Sequence, residues 1–419
     1  MQAQNRVWLG FRVAEGPGSL LNAFDAQAAR EVFESSTDFT IGLEEEFALL
    51  DPGTLSLSNV FEEVRAEADN DDLLVDSLAG ELIASEVEIR SGKGEDFRDA
   101  LERQHERRRR LFALAEARSV ALGATGTHPW SPWQEQRIID TPHYRLVEEK
   151  LKYVAWRNNT FSNHVHVGIR GADRAVAVCD ALRPVLPVLL AASANSPWAE
   201  ARLAGLHSSR TEIFTRMFPR CGIPDHFGGW DAYAAYVDFL FRTRSIDEHT
   251  EIWWSVRPHL TYGTVEIRIM DAQSCAGEST ALLALATACA AQAALDHDAG
   301  RTAPAPPNRL IEENFWRAIR HGLDGRLIDL DTATEIPAAA AVERLLDWTA
   351  DARAELSLDE HLVDLGSLLT NGNGAQRQRR RAHEGELMAD VYAATVADTR
   401  ATYATAGAAM AAPCGEASR

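Results

Sequence analysis

Cysteine is scarce in this chain of 419 residues. Only five cysteines occur, an odd number, and no two of them form a C-x-x-C pair. A long chain with so few cysteines is not a secreted scaffold held together by disulfides, and it lacks the paired thiolates of structural zinc sites. A reducing cytoplasm is therefore the location that the composition favours.

Segments that would direct the protein to a membrane are also missing from the sequence. Residues 1–6 (MQAQNR) do not begin a basic segment followed by an apolar stretch, so no secretory signal is expected. No run approaches the roughly 18 apolar residues of a membrane span. The longest apolar helix that we expect, at residues 281–295, is alanine-rich and short, and it is interpreted as part of the core. We therefore expect no membrane partner.

Positive charge is in deficit. The chain has 42 lysines and arginines against 62 aspartates and glutamates, which gives a formal net charge of −20. Nonspecific binding to nucleic acid needs a basic surface, so no nucleic-acid partner is expected. The one basic run, residues 107–110 (RRRR), is interpreted as the solvated face of a helix. Neither a G-x-G-x-x-G nor a Walker A motif occurs, so any nucleotide must be held in another way.

Four short segments alternate apolar residues with carboxylates, histidines or arginines. They are residues 40–47 (TIGLEEEF), 85–90 (SEVEIR), 163–168 (NHVHVG) and 264–271 (TVEIRIMD). Side chains of a β-strand point to opposite faces with a period of two, so each segment predicts a strand with one apolar and one charged face. The charged faces carry Glu44 and Glu46, Glu86 and Glu88, His164 and His166, and Glu266 and Arg268.

A charged face of this kind is costly to bury unless something offsets the charge, and divalent metal ions and phosphate groups are suitable. Glutamate and histidine without paired cysteines suit Mg²⁺ or Mn²⁺ better than structural zinc. Arg268 beside Glu266 would combine a metal ligand with planar donors for phosphate oxygens. Structural alternatives stay open: buried, hydrogen-bonded histidines, an ion pair within the last strand, and a solvated edge strand at residues 44–46.

Other residues are candidates for narrower roles. Glu45 points with the apolar side chains of its strand, so we expect it to meet a basic group or to lie at the end of the sheet. Arg210, in a long connection at residues 196–224, and Arg257 are candidates to bind a substrate carboxylate or phosphate. Asp271 ends the last strand, where it would reach substrate or metal or cap the turn.

The order of the elements predicts an α+β fold with a largely antiparallel sheet, since regular helical crossovers do not separate the strands. We expect helices at residues 95–122 and 174–194, the second capped by Asp173 and divided by Pro184 and Pro187. The expected organisation is an N-terminal extension at residues 1–37 with one helix near residues 22–35, a single domain at residues 38–404, and a disordered tail at residues 405–419.

Several motifs, in the same order along the chain, resemble those of a known family. They are TIGLEEEF at residues 40–47, GTHP at 126–129, HVHVGI at 164–169, SANSP at 193–197, RPH at 257–259 and GTVEIR at 263–268. They are similar to motifs of the bacterial carboxylate–amine ligases, also called glutamate–cysteine ligases of the second, YbdK-like type. The resemblance extends from residue 38 to residue 394, and the number of ordered motifs makes a chance match improbable.

The resemblance implies a fold similar to the catalytic domains of glutamine synthetase and glutamate–cysteine ligase. In that fold a curved antiparallel sheet, with helices on its outer face, cups ATP and several Mg²⁺ or Mn²⁺ ions. The resemblance places Glu81 and Glu88 together among the metal ligands. Glu81 would need a bend or bulge to reach that site, because its separation of seven residues from Glu88 places the two on opposite faces of a regular strand. His164 is expected to pack beside the metal site or to contact nucleotide. Matched motif by motif, the metal ligands fall on Glu44, Glu46, Glu81, Glu88, His166 and Glu266, and the phosphoryl-stabilising residues on Arg268 and Arg257.

The expected reaction joins a carboxylate, with the γ-carboxyl of L-glutamate favoured, to an amine or amino acid at the expense of ATP. Two other classes stay open: a metal-dependent amide hydrolase that binds its ion through the histidine pair, and a catalytically silent binding protein on the same fold. The chain departs from the family pattern at residues 162–163 and 199–205, which are placed to shape the amino-acid pocket. The sequence therefore does not name the acceptor, and a homo-oligomer also stays open.

Overall fold

The computed structural model describes residues 24–404, and its centre is one antiparallel sheet of seven strands. Across the sheet the order is β6–β7–β5–β1–β3–β2, and β4 pairs with the last residues of β1. All of these pairs are antiparallel, which confirms the predicted α+β class. The strands are β1 (Ile41–Leu50), β2 (Leu78–Ala79), β3 (Glu86–Arg90), β4 (Ala121–Gly123), β5 (Ser162–Gly168), β6 (Val256–His259) and β7 (Thr264–Asp271).

Helices cover one face of this sheet. Helices α3, α7 and α10 pack directly on its strands. The helices are α1 (Ala26–Glu34), α2 (Phe61–Ala68), α3 (Phe97–Ala117), α4 (Pro142–Leu151), α5 (Tyr153–Trp156), α6 (Ala172–Leu182), α7 (Leu186–Ser193), α8 (Ser209–Met217), α9 (Trp230–Arg242), α10 (Ala276–Asp298), α11 (Asn308–His321), α12 (Ala338–Trp348), α13 (Ala350–Glu355), α14 (Val363–Asn371), α15 (Gly374–His383) and α16 (Met388–Tyr403). Short 3₁₀ helices lie at Trp133–Glu135, His249–Glu251, Gly322–Asp324 and Asp359–His361.

Alternation along the strands explains why the helices cover only one face. Leu43, Val165, Val265 and Ile267 are fully buried against the helices, and the charged residues between them point the other way. Burying such side chains stabilises the sheet by about 2 kcal/mol each. The apolar face therefore fixes the strands, and with them the position of every charged side chain on the opposite face.

Helix α10 is the central helix of the core. It has 23 residues and is apolar enough to pass a length and composition test for a membrane span, but 94% of its most apolar stretch is buried inside the protein. We predicted a shorter apolar helix here. The prediction that it belongs to the core is confirmed.

Several predicted elements differ in extent. Helix α3 ends at Ala117, not near residue 122, because Ser119 takes a left-handed φ of +56° and the chain then enters β4. Asp173 does not cap α6; Gly171 does, and Asp173 accepts a hydrogen bond from the backbone N–H of Trp230 at 3.0 Å. The predicted division of the helix at residues 174–194 is confirmed by the 59° bend between α6 and α7.

Residues 196–224 are more structured than the long connection that we expected. They contain helix α8, a hairpin of Trp198–Ala199 with Arg202–Leu203, and the strand Cys221–Gly222, which pairs in parallel with Trp253–Trp254. A second hairpin, of Arg326–Asp329 with Thr334–Pro337, interrupts the helical C-terminal part.

Helix α1 confirms the helix expected near residues 22–35. The expected tail at residues 405–419, like residues 1–23, lies outside the described residues. The division into an extension, one domain and a tail therefore stays a prediction.

A buried ion pair lies between the sheet and helix α3. The Glu45 carboxylate is 3.0 Å from the Nε of Arg108, and both side chains are only 1% exposed. The Arg108 guanidinium also lies 5.1 Å from the ring centroid of Tyr403. This confirms that Glu45 meets a basic group. The interpretation of the arginine run as solvated is wrong at Arg108 and correct at Arg109 and Arg110, which are exposed.

We expect Arg108→Ala to lower the free energy of unfolding by about 3 kcal/mol or more, since it leaves the buried Glu45 carboxylate without its counter-charge. Urea denaturation of the purified protein measures this loss. Arg109→Ala is the matched control, because it removes an exposed arginine from the same helix and should change the stability by less than about 0.5 kcal/mol. Equal stability of the two variants would contradict a structural role for the pair.

Candidate active site

The charged residues of five strands meet on one face because the strand register aligns them. Residues opposite one another in neighbouring antiparallel strands point to the same face. The register therefore confirms the predicted sharing of a face across separate segments of the chain. Opposite one another are Glu46 and Glu88, Glu44 and His164, His166 and Glu266, and Glu266 and Arg257.

A cavity of about 790 Å³ lies over this face. Residues from the strands form its charged side, and apolar and aromatic residues from α1, α4 and α8 form other parts of its wall. Of the eleven residues predicted to form the site, ten line this cavity: Glu44, Glu46, Glu81, Glu88, His164, His166, Arg210, Arg257, Glu266 and Arg268.

Three groups in the cavity have the composition and spacing of cation sites. In each group the ligand atoms lie within 4.8 Å of one another. One pair of groups shares Glu44 and another pair shares Glu88, so the three groups form one continuous series along the sheet. Oxygen and imidazole donors without thiolates fit Mg²⁺ or Mn²⁺. The groups are Glu44–His166–Glu266, Glu44–Glu88–His164 and Glu46–Glu81–Glu88.

Glu81 reaches the last group from outside a regular strand. It lies between β2 and β3, and a turn at Ala84–Ser85 separates it from the strand that carries Glu88. This is the bend that the separation of seven residues required. The turn brings the Glu81 carboxylate to the face on which Glu46 and Glu88 already lie.

The two histidines of β5 have different surroundings. One ring nitrogen of His166, Nδ1, is 2.9 Å from the Thr264 hydroxyl, while Nε2 faces Glu44 at 3.4 Å and Glu266 at 3.9 Å. Both ring nitrogens of His164 have close partners: Nδ1 is 3.2 Å from Glu44, and Nε2 is 2.8 Å from the hydroxyl of Ser162. His166 thus presents one oriented nitrogen to a candidate ion, as metal-binding histidines commonly do.

Two carboxylates are held in the ionised form by neighbouring positive charges. Burial would raise the pKa of Glu266, but the guanidinium groups of Arg257 and Arg268 outweigh it and hold this pKa well below its usual range. Burial is also outweighed at Glu44, where the charge of His166 and hydrogen bonds from the histidines lower the pKa. Both residues can bind a cation at neutral pH without losing a proton first.

For the carboxylates near β3, burial outweighs the neighbouring positive charge and the pKa values are raised. Burial raises the pKa of Glu81 to about 7, with the negative charge of Glu46 as the next cause. Burial also raises the pKa values of Glu86 and Glu88 well above their usual range, and Arg90 does not outweigh it at Glu88. A bound divalent cation would relieve this repulsion, so the residues present fit a metal at this end of the cavity.

Asp271 does not line the cavity. Of the two roles that the sequence left open, the structure therefore favours a structural one and not contact with substrate or metal. The carboxylate of Asp271 is fully buried and accepts hydrogen bonds from the backbone N–H of Asn195 at 2.8 Å and from the hydroxyls of Ser196 at 2.6 Å and Ser208 at 2.9 Å. Asp271 therefore joins the end of β7 to the segment before α8. It stabilises the fold beneath the site.

The predicted arginines differ in how far their guanidinium groups are already bound to other groups of the protein. Arg257 donates to Glu266 at 2.6 Å and to the carbonyl of Thr250 at 2.9 Å, so its guanidinium is largely committed. Arg210 donates to the carbonyls of Arg268 at 3.0 Å and Ile269 at 3.2 Å. Arg268 pairs with Glu266, and its side chain is 16% exposed, compared with 8% for Arg257 and 5% for Arg210. Arg268 is thus the predicted arginine most available to a phosphate group.

Comparison with known proteins places the chain in a family. The sequence profile of glutamate–cysteine ligase family 2 matches residues 40–394. The chain belongs to this family. The match confirms the resemblance of the motifs and, with it, the prediction of an ATP-dependent ligase that forms an amide bond.

Relatives within glutamate–cysteine ligase family 2 match most of the chain. A protein of Rubrobacter xylanophilus named "Putative glutamate--cysteine ligase 2-2" is 40% identical over 336 residues, which cover 80% of this chain and 86% of that protein. A protein of Solibacter usitatus named "Putative glutamate--cysteine ligase 2" is 37% identical over 350 residues, covering 83% of this chain and 90% of that protein.

Solved structures share the fold at low sequence identity. The glutamate–cysteine ligase of Francisella tularensis, solved in complex with AMP, has a TM-score of 0.63 and 12% identity, and the match covers 87% of this chain and 90% of that one. A bifunctional glutathione synthetase of Pasteurella multocida has a TM-score of 0.60 and 13% identity, with 90% and 54% of the two chains covered.

Some residues of the cavity were not predicted. Arg90 pairs with Glu88, and the tetrapeptide VEIR occurs at both 87–90 and 265–268, so the repeat was a usable signal for it. Glu86 was placed on the charged face by its period but given no role, and it lines the cavity. Helix α1 also lines the cavity, and the motifs of the family gave no sign of this.

In metal-free protein at pH 8, we expect two carboxylate substitutions to change stability in opposite directions. Glu46→Gln should raise the free energy of unfolding by about 1 kcal/mol, because it removes repulsion with neighbouring carboxylates. Glu266→Gln should lower it by about 3 kcal/mol, because Arg257 and Arg268 lose a buried counter-charge. Urea denaturation with EDTA present measures both changes.

The effect of Glu46→Gln should also depend on pH. The folded-state pKa of Glu81, about 7, lies above its ordinary value of 4.5, so the metal-free protein loses stability as the pH rises through this window. Since Glu46 contributes to that raised pKa, the advantage of Glu46→Gln should grow between pH 5 and pH 8. Two results would contradict this electrostatic description. One is a change in the free energy of unfolding in the same direction for Glu46→Gln and Glu266→Gln. The other is a gain in stability of Glu46→Gln that does not depend on pH.

Proposed function

We propose that this protein joins the γ-carboxyl of L-glutamate to an amine or amino acid through an acyl phosphate, and releases ADP and phosphate. The observation that carries the proposal is the series of three linked carboxylate–imidazole groups beside Arg268 on one sheet face. The names of the family relatives support glutamate as the carboxylate substrate. The solved relative with AMP supports an adenine nucleotide at this fold.

A carboxylate is a poor electrophile, and transfer of the γ-phosphoryl group from ATP would convert it into one that an amine can attack. Phosphoryl transfer needs mainly positioning and stabilisation of negative charge. The cavity supplies positive charge on the sheet through Arg90 and Arg268. The amine would then displace phosphate and form the amide bond.

The metal ligands of the proposal are Glu44, Glu46, Glu81, Glu88, His166 and Glu266. His164 belongs to one of the three candidate groups and is a further neighbour. Bound Mg²⁺ or Mn²⁺ would supply charge neutralisation for the phosphate oxygens. The carboxylates that already have arginine or histidine partners would hold their positions before the ion binds, because those pairs exist without it.

Arg268 has the role of stabilising the phosphoryl group in this proposal. Its side chain is 16% exposed and lines the cavity, and it pairs with Glu266 through Nη1. Arg257 acts through Glu266 and is a positioning residue, because its guanidinium nitrogens bind that carboxylate and backbone carbonyls. The substrates are small molecules, and a cytoplasmic location follows from the supply of ATP and glutamate.

Product analysis tests the reaction type. With ATP, Mg²⁺ and L-glutamate, we expect hydroxylamine to capture the activated carboxylate as a hydroxamate, with one ADP and one phosphate formed for each. Chromatography of the nucleotides and a colour assay for the hydroxamate measure this. Release of AMP and pyrophosphate would reject the acyl phosphate, and cleavage of γ-glutamyl amides without ATP would favour the hydrolase alternative.

We further expect His166→Ala to reduce turnover more than His164→Ala. His166 directs Nε2 at two carboxylates, those of Glu44 and Glu266, whereas the Nε2 of His164 is 2.8 Å from the hydroxyl of Ser162. Because nitrogen ligands favour Mn²⁺ over Mg²⁺, loss of the imidazole should weaken Mn²⁺ binding more, and excess Mn²⁺ should partly restore the turnover of His166→Ala by mass action. Titration of ATP turnover with each metal measures the effect.

The matched control for this comparison is His164→Ala, which lies on the same strand face. A shifted metal dependence in His164→Ala together with a neutral His166→Ala would show that the ligand assignment on β5 is wrong.

A further inference from the structure

Ser162 is the first residue of β5 and lies in one of the two stretches where the chain departs from the family pattern. Ser162, His164 and His166 occupy alternate positions of this strand, so their side chains share its charged face. The Ser162 side chain lines the cavity, although the residue is buried. A buried hydroxyl in this place must find its hydrogen-bond partners among the groups of the site.

Glu46 receives two hydrogen bonds from Ser162, and both end on the same carboxylate oxygen. The hydroxyl of Ser162 donates to Oε2 of Glu46 at 2.7 Å, and the backbone N–H of Ser162 donates to the same atom. Glu46 forms one of the candidate cation groups with Glu81 and Glu88. Ser162 therefore fixes the rotation of a carboxylate that this group presents to a cation.

Ser162 also contacts the first histidine of the strand. Its hydroxyl oxygen is 2.8 Å from Nε2 of His164. A hydroxyl has one proton, and an ionised carboxylate can only accept hydrogen bonds, so the proton of Ser162 points to Glu46. The Ser162 oxygen must then accept the N–H at Nε2 of His164. The neutral ring with its proton on Nε2 and the charged ring both satisfy this contact.

The contact with Ser162 sets the orientation of the His164 ring. Because Nε2 faces Ser162, Nδ1 of His164 faces Glu44, at 3.2 Å from its Oε2. Glu44, His164 and Glu88 form another candidate cation group. One chain of hydrogen-bonding contacts thus connects Glu46 to Glu44 across two strands. Partners that orient metal ligands in this way commonly determine the affinity for the metal.

A second buried serine offers a comparison on the opposite face of the sheet. Ser279, on α10, donates its hydroxyl to Glu45. Glu45 is paired with Arg108 on the side covered by helices. Ser162 and Ser279 are both buried, and each donates to a glutamate of β1. Of these two glutamates, only Glu46 belongs to one of the three candidate cation groups.

We propose that Ser162 is a positioning residue of the site, and that its hydroxyl orients Glu46 and His164 for the binding of divalent cations. The proposal rests on the cation sites of the ligase function proposed above, and it adds a residue to which the family motifs assign no role in metal binding. In this role Ser162 does not contact substrate. Loss of its hydroxyl should therefore weaken cation binding and leave the maximum rate at saturating cation nearly unchanged.

Cation binding without nucleotide tests the proposal directly. Ser162→Ala removes the hydroxyl and keeps the backbone N–H that donates to Glu46. In calorimetric titrations of the EDTA-treated, dialysed protein with MnCl₂, the Kd of Ser162→Ala should be raised roughly tenfold or more. Ser162→Thr keeps a hydroxyl on a residue that suits a β-strand, and it should bind Mn²⁺ nearly as the unmodified protein does.

Hydroxamate formation separates a positioning role from contact with substrate. In Ser162→Ala, the Mn²⁺ concentration for half-maximal turnover should rise in parallel with the Kd. The maximum rate at saturating Mn²⁺ and the KM for L-glutamate should stay close to those of the unmodified protein. Ser279→Ala is the matched control, because it removes a buried hydroxyl from the other face, and its Kd for Mn²⁺ should not change.

If Ser162→Ala does not fold, Ser162→Cys replaces the hydroxyl by a thiol, which is a weak donor, and should raise the Kd for Mn²⁺ in the same direction. An unchanged Kd in the variant that lacks the hydroxyl would overturn the proposal. An equal rise in Ser162→Thr or in Ser279→Ala would overturn it as well, and so would failure of the unmodified protein to bind Mn²⁺.

The two assays also distinguish this proposal from the function on which it rests. If the unmodified protein binds Mn²⁺ but forms no hydroxamate, the proposed ligase reaction is wrong. A raised Kd for Mn²⁺ in Ser162→Ala would still support the role of Ser162 in cation binding in that case.

Discussion

Repulsion among carboxylates buried on one face of a sheet is the constraint on which the rest of the structure depends. Glu44, Glu46 and Glu88 lie on neighbouring strands and converge in the cavity. They cannot move apart, because Leu43 and Val87 on the same strands are fully buried against the helices. Burial of the apolar face therefore offsets the free-energy cost of repulsion on the charged face, and a bound cation can reduce that cost.

The repeated tetrapeptide VEIR shows how local charge balance decides the state of each carboxylate. Glu266 has two arginines, Arg257 and Arg268, and they outweigh burial, so its pKa is low. Glu88 has Arg90, which also lies 3.8 Å from Glu44, and burial wins, so its pKa is high. The same tetrapeptide thus gives a carboxylate with a lowered pKa at one end of the cavity and a carboxylate with a raised pKa at the other.

The sheet and most of the site were predictable from the sequence because both follow from a period of two. Predictions that depended on partners from elsewhere in the chain were less accurate. Asp271 binds Ser196 and Ser208, some 63 to 75 residues away, and nothing in its own strand indicates this. Arg108 is buried while Arg109 is exposed, because Arg108 continues the buried face of α3 that includes Gln104 and Leu111. The helical period was a usable signal for this burial, but the partner Glu45 comes from a distant strand.

The separation of tasks in this site follows from where its residues come from. The groups that fit metal and phosphate are carried mainly by the sheet, and their register cannot change without unpacking the core. Helix α1 precedes the residues that match the family and also lines the cavity, although its Ala29 and Phe33 are part of the buried core. Substitutions at the cavity-lining positions of α1 do not alter the strand register, so this part of the wall can vary while the groups on the sheet keep their geometry.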